Sequence, residues 1–165
     1  MPVLRTEEET KVREWFGELA RPVELLVALK AGSVVGEADD ARPGRPDAFG
    51  VPGPEETPRP GSGDVDFGAE MVRLCEGLAE LGDDVSCRVE EEPEGFLRFP
   101  AVSIRPEGHD VGVRYDGLPW GYELGSLVGG IVEAGREQPT LSADSLAALE
   151  ELDRDLTLDV FVTPT

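Results

Sequence analysis

The stretch from Leu97 to Leu127 constrains the fold more than any other part of this chain. It contains two short runs, Ala101–Ile104 and Val111–Tyr115, in which apolar residues recur with the two-residue period of a half-buried β-strand. The residues between the runs, 105–110, include a proline closely followed by a glycine, which is typical of a turn. The runs are therefore predicted to form an antiparallel hairpin, which Gly117-Leu118-Pro119 ends before a helix begins.

Pro100 stands directly before the first of these runs. Proline has no backbone N–H to donate to a β-ladder, so within a sheet it is confined to the first residue of a strand, an edge or a bend. A cis peptide bond before Pro100 is the other explanation for its place. The residues alone leave these alternatives open.

Apolar periodicity elsewhere predicts the elements that surround the hairpin. In chain order they are a helix after Thr6, a buried strand over Val23–Leu29, a helix over 67–81, a strand over Val85–Val89, a helix over Pro119–Ala134, a helix that carries Leu146, Leu149 and Leu152, and a last strand over Leu156–Val162. A βαβ unit followed by a hairpin and a closing helix favours an α/β fold with a mixed sheet and helices on both faces.

The segment Ala31–Asp64 differs in character from the rest of the chain. It is crowded with proline and glycine and shows no apolar period. Such a segment cannot bury enough apolar surface to offset the entropy lost on ordering, so it is predicted to be an inserted, disordered loop. Its position, before the second predicted helix, suggests that it covers a site there.

The charge of the chain excludes some classes of partner. Its 165 residues carry a formal net charge of −20, and Lys11 and Lys30 are the only lysines. Such a surface argues against binding to nucleic acid or to an anionic membrane, and favours a protein adapted to concentrated salt over an ordinary acidic protein. The sequence has no signal segment and no apolar run of membrane-spanning length, so a cytoplasmic location is expected.

The segment from Gly112 to Glu137, GVRYDGLPWGYELGSLVGGIVEAGRE, and the terminal VFVTPT resemble a known family. They look like the first half of the glutaredoxin-like protein disulfide oxidoreductases, which hold two thioredoxin folds in tandem, and like the amino-terminal region of the flavoprotein component of alkyl hydroperoxide reductase. The resemblance covers roughly residues 1–30 and 65–165. It implies a thioredoxin-like domain over 1–140 with four to five strands, and over 141–165 the helix and first strand of a second, truncated unit.

One departure from the family pattern bears on activity. The resemblance implies a redox CxxC motif at the start of the helix after the first strand, where the helix dipole lowers the pKa of the attacking cysteine. Those four places fall on Val65, Asp66, Phe67 and Gly68, and none of them is a cysteine. The module is therefore expected to be redox-inactive, without a cofactor, because mixed-disulfide exchange has no nucleophile there.

The resemblance also implies a groove and a partner. Pro100 would be the cis-proline beside the vestigial site, with Phe99, Ala101 and Trp120 lining a groove that accepts an extended polypeptide. The module would then serve as a scaffold or partner-binding half for a C-terminal thioredoxin-like half. The alternative is the front part of an active dithiol oxidoreductase, because in the family a CPxC motif follows the place where Thr165 stands. The chain is therefore expected to be cut from a longer protein.

The remaining candidates for chemistry favour ordinary structural roles. Cys75 and Cys87 each fall on the apolar face of an element, which favours two inert buried thiols over a disulfide or a peroxide-sensing thiol. His109 has no ligand-spaced neighbours, so we expect a solvated turn residue and no metal site. Asp64 and Asp66 precede a helix and are expected to be caps.

Overall fold

The computed structural model describes residues 6–32, 66–119 and 121–161. Eight elements follow one another there: α1 (Thr6–Phe16), β1 (Val23–Leu29), α2 (Phe67–Ala79), β2 (Val85–Glu91), β3 (Ala101–Pro106), β4 (Arg114–Asp116), α3 (Tyr122–Ala134) and α4 (Ala143–Glu150). Most of the predicted loop over Ala31–Asp64 lies outside the described residues, as do Val65 and Trp120.

The four strands form one mixed sheet in the order β2-β1-β3-β4. Strand β1 pairs parallel with β2 and antiparallel with β3, and β3 pairs antiparallel with the short β4. The central place of β1 follows from its sequence, because a nearly continuous apolar run is stable only where both faces are covered. The predicted α/β fold with a mixed, four-stranded sheet is confirmed.

Three helices pack against the same face of the sheet. Strand β1 contributes Val23, Leu25, Val27 and Leu29 to this core, and the helices add Val12 and Phe16 from α1, Met71, Leu74, Cys75 and Leu78 from α2, and Leu127, Val128 and Ile131 from α3. Removing this apolar surface from water is the main stabilising term of the fold, at about 25 cal/mol per Å². The apolar faces that periodicity predicts for α1, α2 and α3 supply this core, except that Trp15 and Phe67 are exposed.

The opposite face of the sheet has a smaller apolar cluster. Leu26, Ala28 and Ala101 are buried there, covered by Phe96 and Phe99. The sequence predicts helices on both faces, but the residues that cover this face come from the connection between β2 and β3. That connection holds a proline and a glycine with φ of 86° and forms turns, so its two aromatic side chains take the place of a helix.

The second strand of the hairpin is shorter than its sequence predicts. The alternating pattern starts at Val111, but β4 begins at Arg114, and the side chains of Val111 and Val113 are 52% and 43% exposed. The Asp110 side chain accepts a hydrogen bond from the Gly112 N–H at 2.9 Å, and Gly112 has a φ of 79°. This local turn leaves Val111 outside the ladder, and the first hydrogen bond to β3 is made by Val113, whose carbonyl oxygen accepts from the Ile104 N–H at 3.1 Å.

The predicted strand over Leu156–Val162 is not formed over residues 156–161. The side chains of Leu158, Val160 and Phe161 are more than four-fifths exposed. A strand needs a neighbouring strand to satisfy its backbone groups, and within the described ranges none lies beside this segment. An alternating sequence is therefore not enough to make a strand here.

Candidate functional site

The N-terminus of α2 is closed by its own cap. Asp66 has an extended backbone, and its carboxylate accepts hydrogen bonds from the N–H groups of Gly68 and Ala69 at 2.9 and 3.1 Å. The Asp66 carbonyl oxygen also accepts from the Glu70 N–H at 3.0 Å. The role predicted for Asp66 as a helix cap is confirmed, and it uses the amides that would otherwise face an anion. Asp64, the other expected cap, lies outside the described residues.

This helix start lies beside the end of β1. A Cβ atom added at Gly68 would lie 3.2 Å from Leu29 Cδ2, so the helix backbone packs directly on that side chain. The β1–β3 ladder ends at the pair Ala28–Ala101, so Leu29 follows the last paired residue of β1 and Pro100 precedes the first paired residue of β3. The start of α2 therefore packs on Leu29, at the end of the ladder where Pro100 enters β3.

The Phe99–Pro100 peptide bond is cis, as the resemblance implies. Phe99 and Pro100 are both half-buried, and the Phe99 ring packs against the cluster that contains Leu26 and Phe96. The Pro100 carbonyl oxygen accepts a hydrogen bond from the Gly117 N–H at 2.8 Å. Trp120, the fourth residue predicted for the groove, lies outside the described residues.

Exposed apolar side chains and a residue with free backbone groups lie near the Phe99–Pro100 peptide bond in the described part of the chain. The Leu97 side chain is 95% exposed and that of Phe67 is 57% exposed. The N–H and C=O groups of Phe99 form no hydrogen bond with other groups in ranges 6–32, 66–119 and 121–161. Sequence reasoning singled out Phe99 but missed Leu97, because a single leucine in a turn has no periodic signal.

Cys75 and Cys87 are brought together between α2 and β2. Cys75 is fully buried in the helix-covered core, and Cys87 is half-buried at its border; both thiols are free. A hydrogen bond between the two thiols raises the pKa of Cys75, and burial raises it further. The same hydrogen bond lowers the pKa of Cys87, against the opposing effects of burial and of Glu76 and Glu24.

His109, the other residue considered for a chemical role, lies in a turn. His109 is exposed in the connection between β3 and β4, where its N–H donates to the Pro106 carbonyl oxygen at 2.9 Å. Among the described residues, no group of three or more histidine, cysteine or acidic side chains is placed to hold a metal ion. In the same part of the chain, none of the helices is both long and apolar enough to cross a membrane.

Sequence comparisons relate the chain to parts of larger proteins. It is 27% identical over 92 residues to the AhpF component of alkyl hydroperoxide reductase from Xanthomonas campestris pv. phaseoli, covering 56% of this chain and 17% of that protein. Identity to the corresponding protein of Staphylococcus aureus (strain Mu50) is also 27%, over 109 residues, which cover 62% of this chain and 21% of the relative. The chain therefore spans about a fifth of these relatives. No family model matches it.

Structure comparisons give the same fold. The alkyl hydroperoxide reductase component AhpF of Enterococcus faecalis (V583), as a C503A mutant, superposes with a TM-score of 0.64 at 18% identity, covering 91% of this chain and 61% of that one. A protein disulfide oxidoreductase from Aeropyrum pernix K1 gives a TM-score of 0.58 at 18% identity, covering 90% and 55%. The chain thus has a thioredoxin-like fold and is similar in sequence to the amino-terminal region of AhpF, as its residues predict.

Proposed function

We propose that this chain is a thioredoxin-fold module that is redox-inactive at the CxxC position of the family and that binds a polypeptide or a partner domain. The observation that carries the proposal is the cap at the start of α2, where a carboxylate stands in the region that the family uses for its attacking thiol. The Asp66 carboxylate accepts hydrogen bonds from the N–H groups of Gly68 and Ala69. The next two positions of the motif, Phe67 and Gly68, are not cysteines either. The helix dipole and these amides therefore stabilise a structural carboxylate and not a reactive thiolate.

The binding role rests on the surface next to this cap. The N–H and C=O groups of Phe99, which form no hydrogen bond with the other described residues, can add an extended chain by backbone hydrogen bonding, which requires no cysteine. The exposed side chain of Leu97 offers apolar contact close to these groups. We propose Phe99, Pro100 and Trp120 as the groove, whereas Ala101, which the sequence also predicts for it, is fully buried in the cluster that Phe96 and Phe99 cover.

The partner that we propose is a thioredoxin-like half of the same or a neighbouring protein, positioned for catalysis by this module. The similarity of the chain to a region of much larger proteins supports this partner. A cytoplasmic location and a part in thiol redox balance belong to the same proposal.

The absence of turnover and the presence of binding are tested together on the purified chain. With dithiothreitol as reductant, the chain is expected to reduce insulin disulfides no faster than dithiothreitol alone. Acceleration by the chain would contradict the inactive assignment. For binding, the probe is S-carboxymethylated insulin B chain, which cannot exchange thiols, and amide chemical shifts are expected to change at residues 97–101.

Two exposed leucines provide a matched pair of variants for the binding measurement. The Leu97 and Leu158 side chains are 95% and 87% exposed, so replacing either one with glutamate leaves the core intact. Leu97→Glu is expected to weaken binding of the probe several-fold, whereas Leu158→Glu leaves it unchanged. The reverse result would move the binding surface to the segment 155–161.

The alternative function is that of an active dithiol oxidoreductase or peroxide-reductase partner whose CPxC motif follows Thr165. The size of the relatives favours it as a second candidate, because this chain matches about a fifth of their length. The intact mass of the native protein distinguishes the two candidates. A mass well above 17.7 kDa together with a CPxC peptide after Thr165 would support the alternative.

A further inference from the structure

The two cysteines meet at the contact between helix α2 and strand β2. Cys75 lies in α2 and Cys87 in β2, and both side chains belong to the core on the helix-covered face of the sheet. Leu25 of β1 pairs with Cys87 in the ladder and points into the same core. Because the sheet order begins with β2, its outer edge has no neighbouring strand among the described residues.

The surroundings of the two thiols are unequal. Cys75 is fully buried, whereas Cys87 is only half-buried and lies on the edge strand. The Cys75 thiol donates a hydrogen bond to the Cys87 sulfur, which lowers the pKa of Cys87 and raises that of Cys75. The more accessible sulfur is thus the better nucleophile, and the buried sulfur stands next to it as a second thiol.

Charge around the pair selects the kind of oxidant that can reach it. Glu76 and Glu24 act electrostatically on the Cys87 thiol, and the whole chain carries a net charge of −20. Anionic disulfides such as glutathione disulfide are repelled by this field, whereas a neutral hydroperoxide is not. The half-buried position of Cys87 also favours a small oxidant over a protein disulfide.

We propose that Cys75 and Cys87 form an oxidisable dithiol site, separate from the vestigial site at the start of α2, whose oxidant is a small uncharged hydroperoxide. The Cys87 thiolate attacks the peroxide, the O–O bond breaks, and Cys87 becomes a sulfenic acid while an alcohol or water leaves. The Cys75 sulfur then attacks Cys87, the S–O bond breaks, and water leaves with the thiol proton. Overall, two thiols and one hydroperoxide give one disulfide, one alcohol and one water.

The disulfide would tie α2 to the edge of the sheet. Both cysteines belong to one continuous stretch that runs through α2, the turn at Gly82 and β2, so the bond closes a short loop. Closing it restricts the unfolded chain and also links the helix that begins after Asp66 to β2. The dithiol site does not depend on the proposed binding function, because Cys75 and Cys87 belong to the core between α2 and β2 and not to the groove beside Pro100.

The test uses the whole purified chain, reduced and then treated with a small excess of hydrogen peroxide at neutral pH. The expected product is a monomer about 2 Da lighter, in which a single cross-linked peptide pair contains Cys75 and Cys87 and which dithiothreitol reverses. Oxidation of the folded chain is expected to be faster than that of the same chain unfolded in urea. Glutathione disulfide is expected to react more slowly than hydrogen peroxide, with the gap narrowing in added KCl.

The two single variants separate the roles of the sulfurs. Cys75→Ser is expected to accumulate a Cys87 sulfenic acid that dimedone traps, and Cys87→Ser is expected to resist peroxide in the folded state. Two alkylatable thiols after peroxide treatment, a disulfide found only between chains, or oxidation no faster than in urea would overturn the site. Equal rates with glutathione disulfide would overturn the choice of oxidant. The wild-type mass and peptide map decide the disulfide even where a variant fails to fold.

Discussion

Glu133 holds the chain that leaves α3 by contacts of its carboxylate. The Thr140 N–H and hydroxyl donate to Glu133 Oε1 at 2.8 and 3.0 Å, and Arg136 Nε lies 3.3 Å from Oε2. The backbone hydrogen bond from Thr140 is the main cause of a lowered pKa at Glu133, helped by the Thr140 hydroxyl and by the charge of Arg136. Folding therefore favours the ionised carboxylate at this position.

The lowered pKa predicts a pH-dependent contribution of Glu133 to stability. A carboxyl group whose pKa is lower in the folded state stabilises the protein above its ordinary pKa of about 4.3, and loses that contribution as the pH falls through the folded value. Glu133→Gln is thus expected to lower the midpoint of urea unfolding at pH 7 and to have a smaller effect at about pH 3.

Glu137→Gln is the control for this pair of measurements. Glu137 is exposed and forms no ion pair with other described residues, so its replacement is expected to change neither midpoint. An equal loss of stability at both pH values in Glu133→Gln would show that the contacts do not depend on the charge.

The packing of helix α3 depends on one of its two adjacent glycines. A Cβ atom at Gly130 would come within 2.8 Å of Ile104 Cδ1 in β3, whereas at Gly129 it would meet nothing within 4 Å. The glycines in this helix predict close packing against a neighbouring element. In the structure, Gly130 is the one of the pair that packs closely, against Ile104. The pattern of residues could not separate the two positions, because only the tertiary contact with β3 distinguishes them.

Alanine at each of these positions gives a matched pair of stability measurements. Gly129→Ala is expected to stabilise the protein by up to about 1 kcal/mol, because alanine has the higher helix propensity and the site is open. Gly130→Ala gains the same propensity but overpacks a buried isoleucine, which costs about 1–3 kcal/mol. The midpoint of urea unfolding is expected to be higher in Gly129→Ala than in wild type, and lower in Gly130→Ala than in Gly129→Ala. Equal midpoints in the two variants would contradict the close contact at Gly130.

Across the whole molecule, the main electrostatic feature is an excess of negative charge. Asp and Glu number 35 against 15 Lys and Arg, so most surface carboxylates have no cationic partner, and their mutual repulsion opposes the compact state. Within the ranges that the structure describes, arginine forms ion pairs that are mostly exposed, as for Arg73 with Glu70. Pairs of this kind contribute only about 0–1 kcal/mol each and do not offset the excess.

This excess charge predicts stabilisation by salt. Raising KCl from about 0.1 M to about 1 M shortens the Debye length from about 10 Å to about 3 Å, so the repulsion between carboxylates is screened. The melting temperature is expected to rise by several degrees over this range. An uncharged osmolyte at matched osmolality is the control, since it does not screen charge. A melting temperature that stays constant in KCl would contradict adaptation to high salt.

Local patterns were reliable wherever neighbouring residues decide the structure. The capping role of Asp66, the buried strand β1 and the apolar faces of α2 and α3 followed from residue type and spacing. The alternation over Leu156–Val162 failed because a strand also needs a partner outside its own segment. The strand predicted from Val111 starts later because the turn at Asp110 delays the pairing, so that Val113 makes the first backbone hydrogen bond to β3.

Residue type and spacing were enough to predict the order of the elements from α1 to α4, the mixed α/β class and the absence of cysteine at Val65–Gly68, since periodicity, capping and residue identity are local properties. Three contacts came only from the fold of the whole chain: the packing of α1, α2 and α3 on one face of the sheet, the start of α2 on Leu29, and Cys75 against Cys87. Such contacts join residues that are separated along the chain, and no local pattern encodes the distance between them.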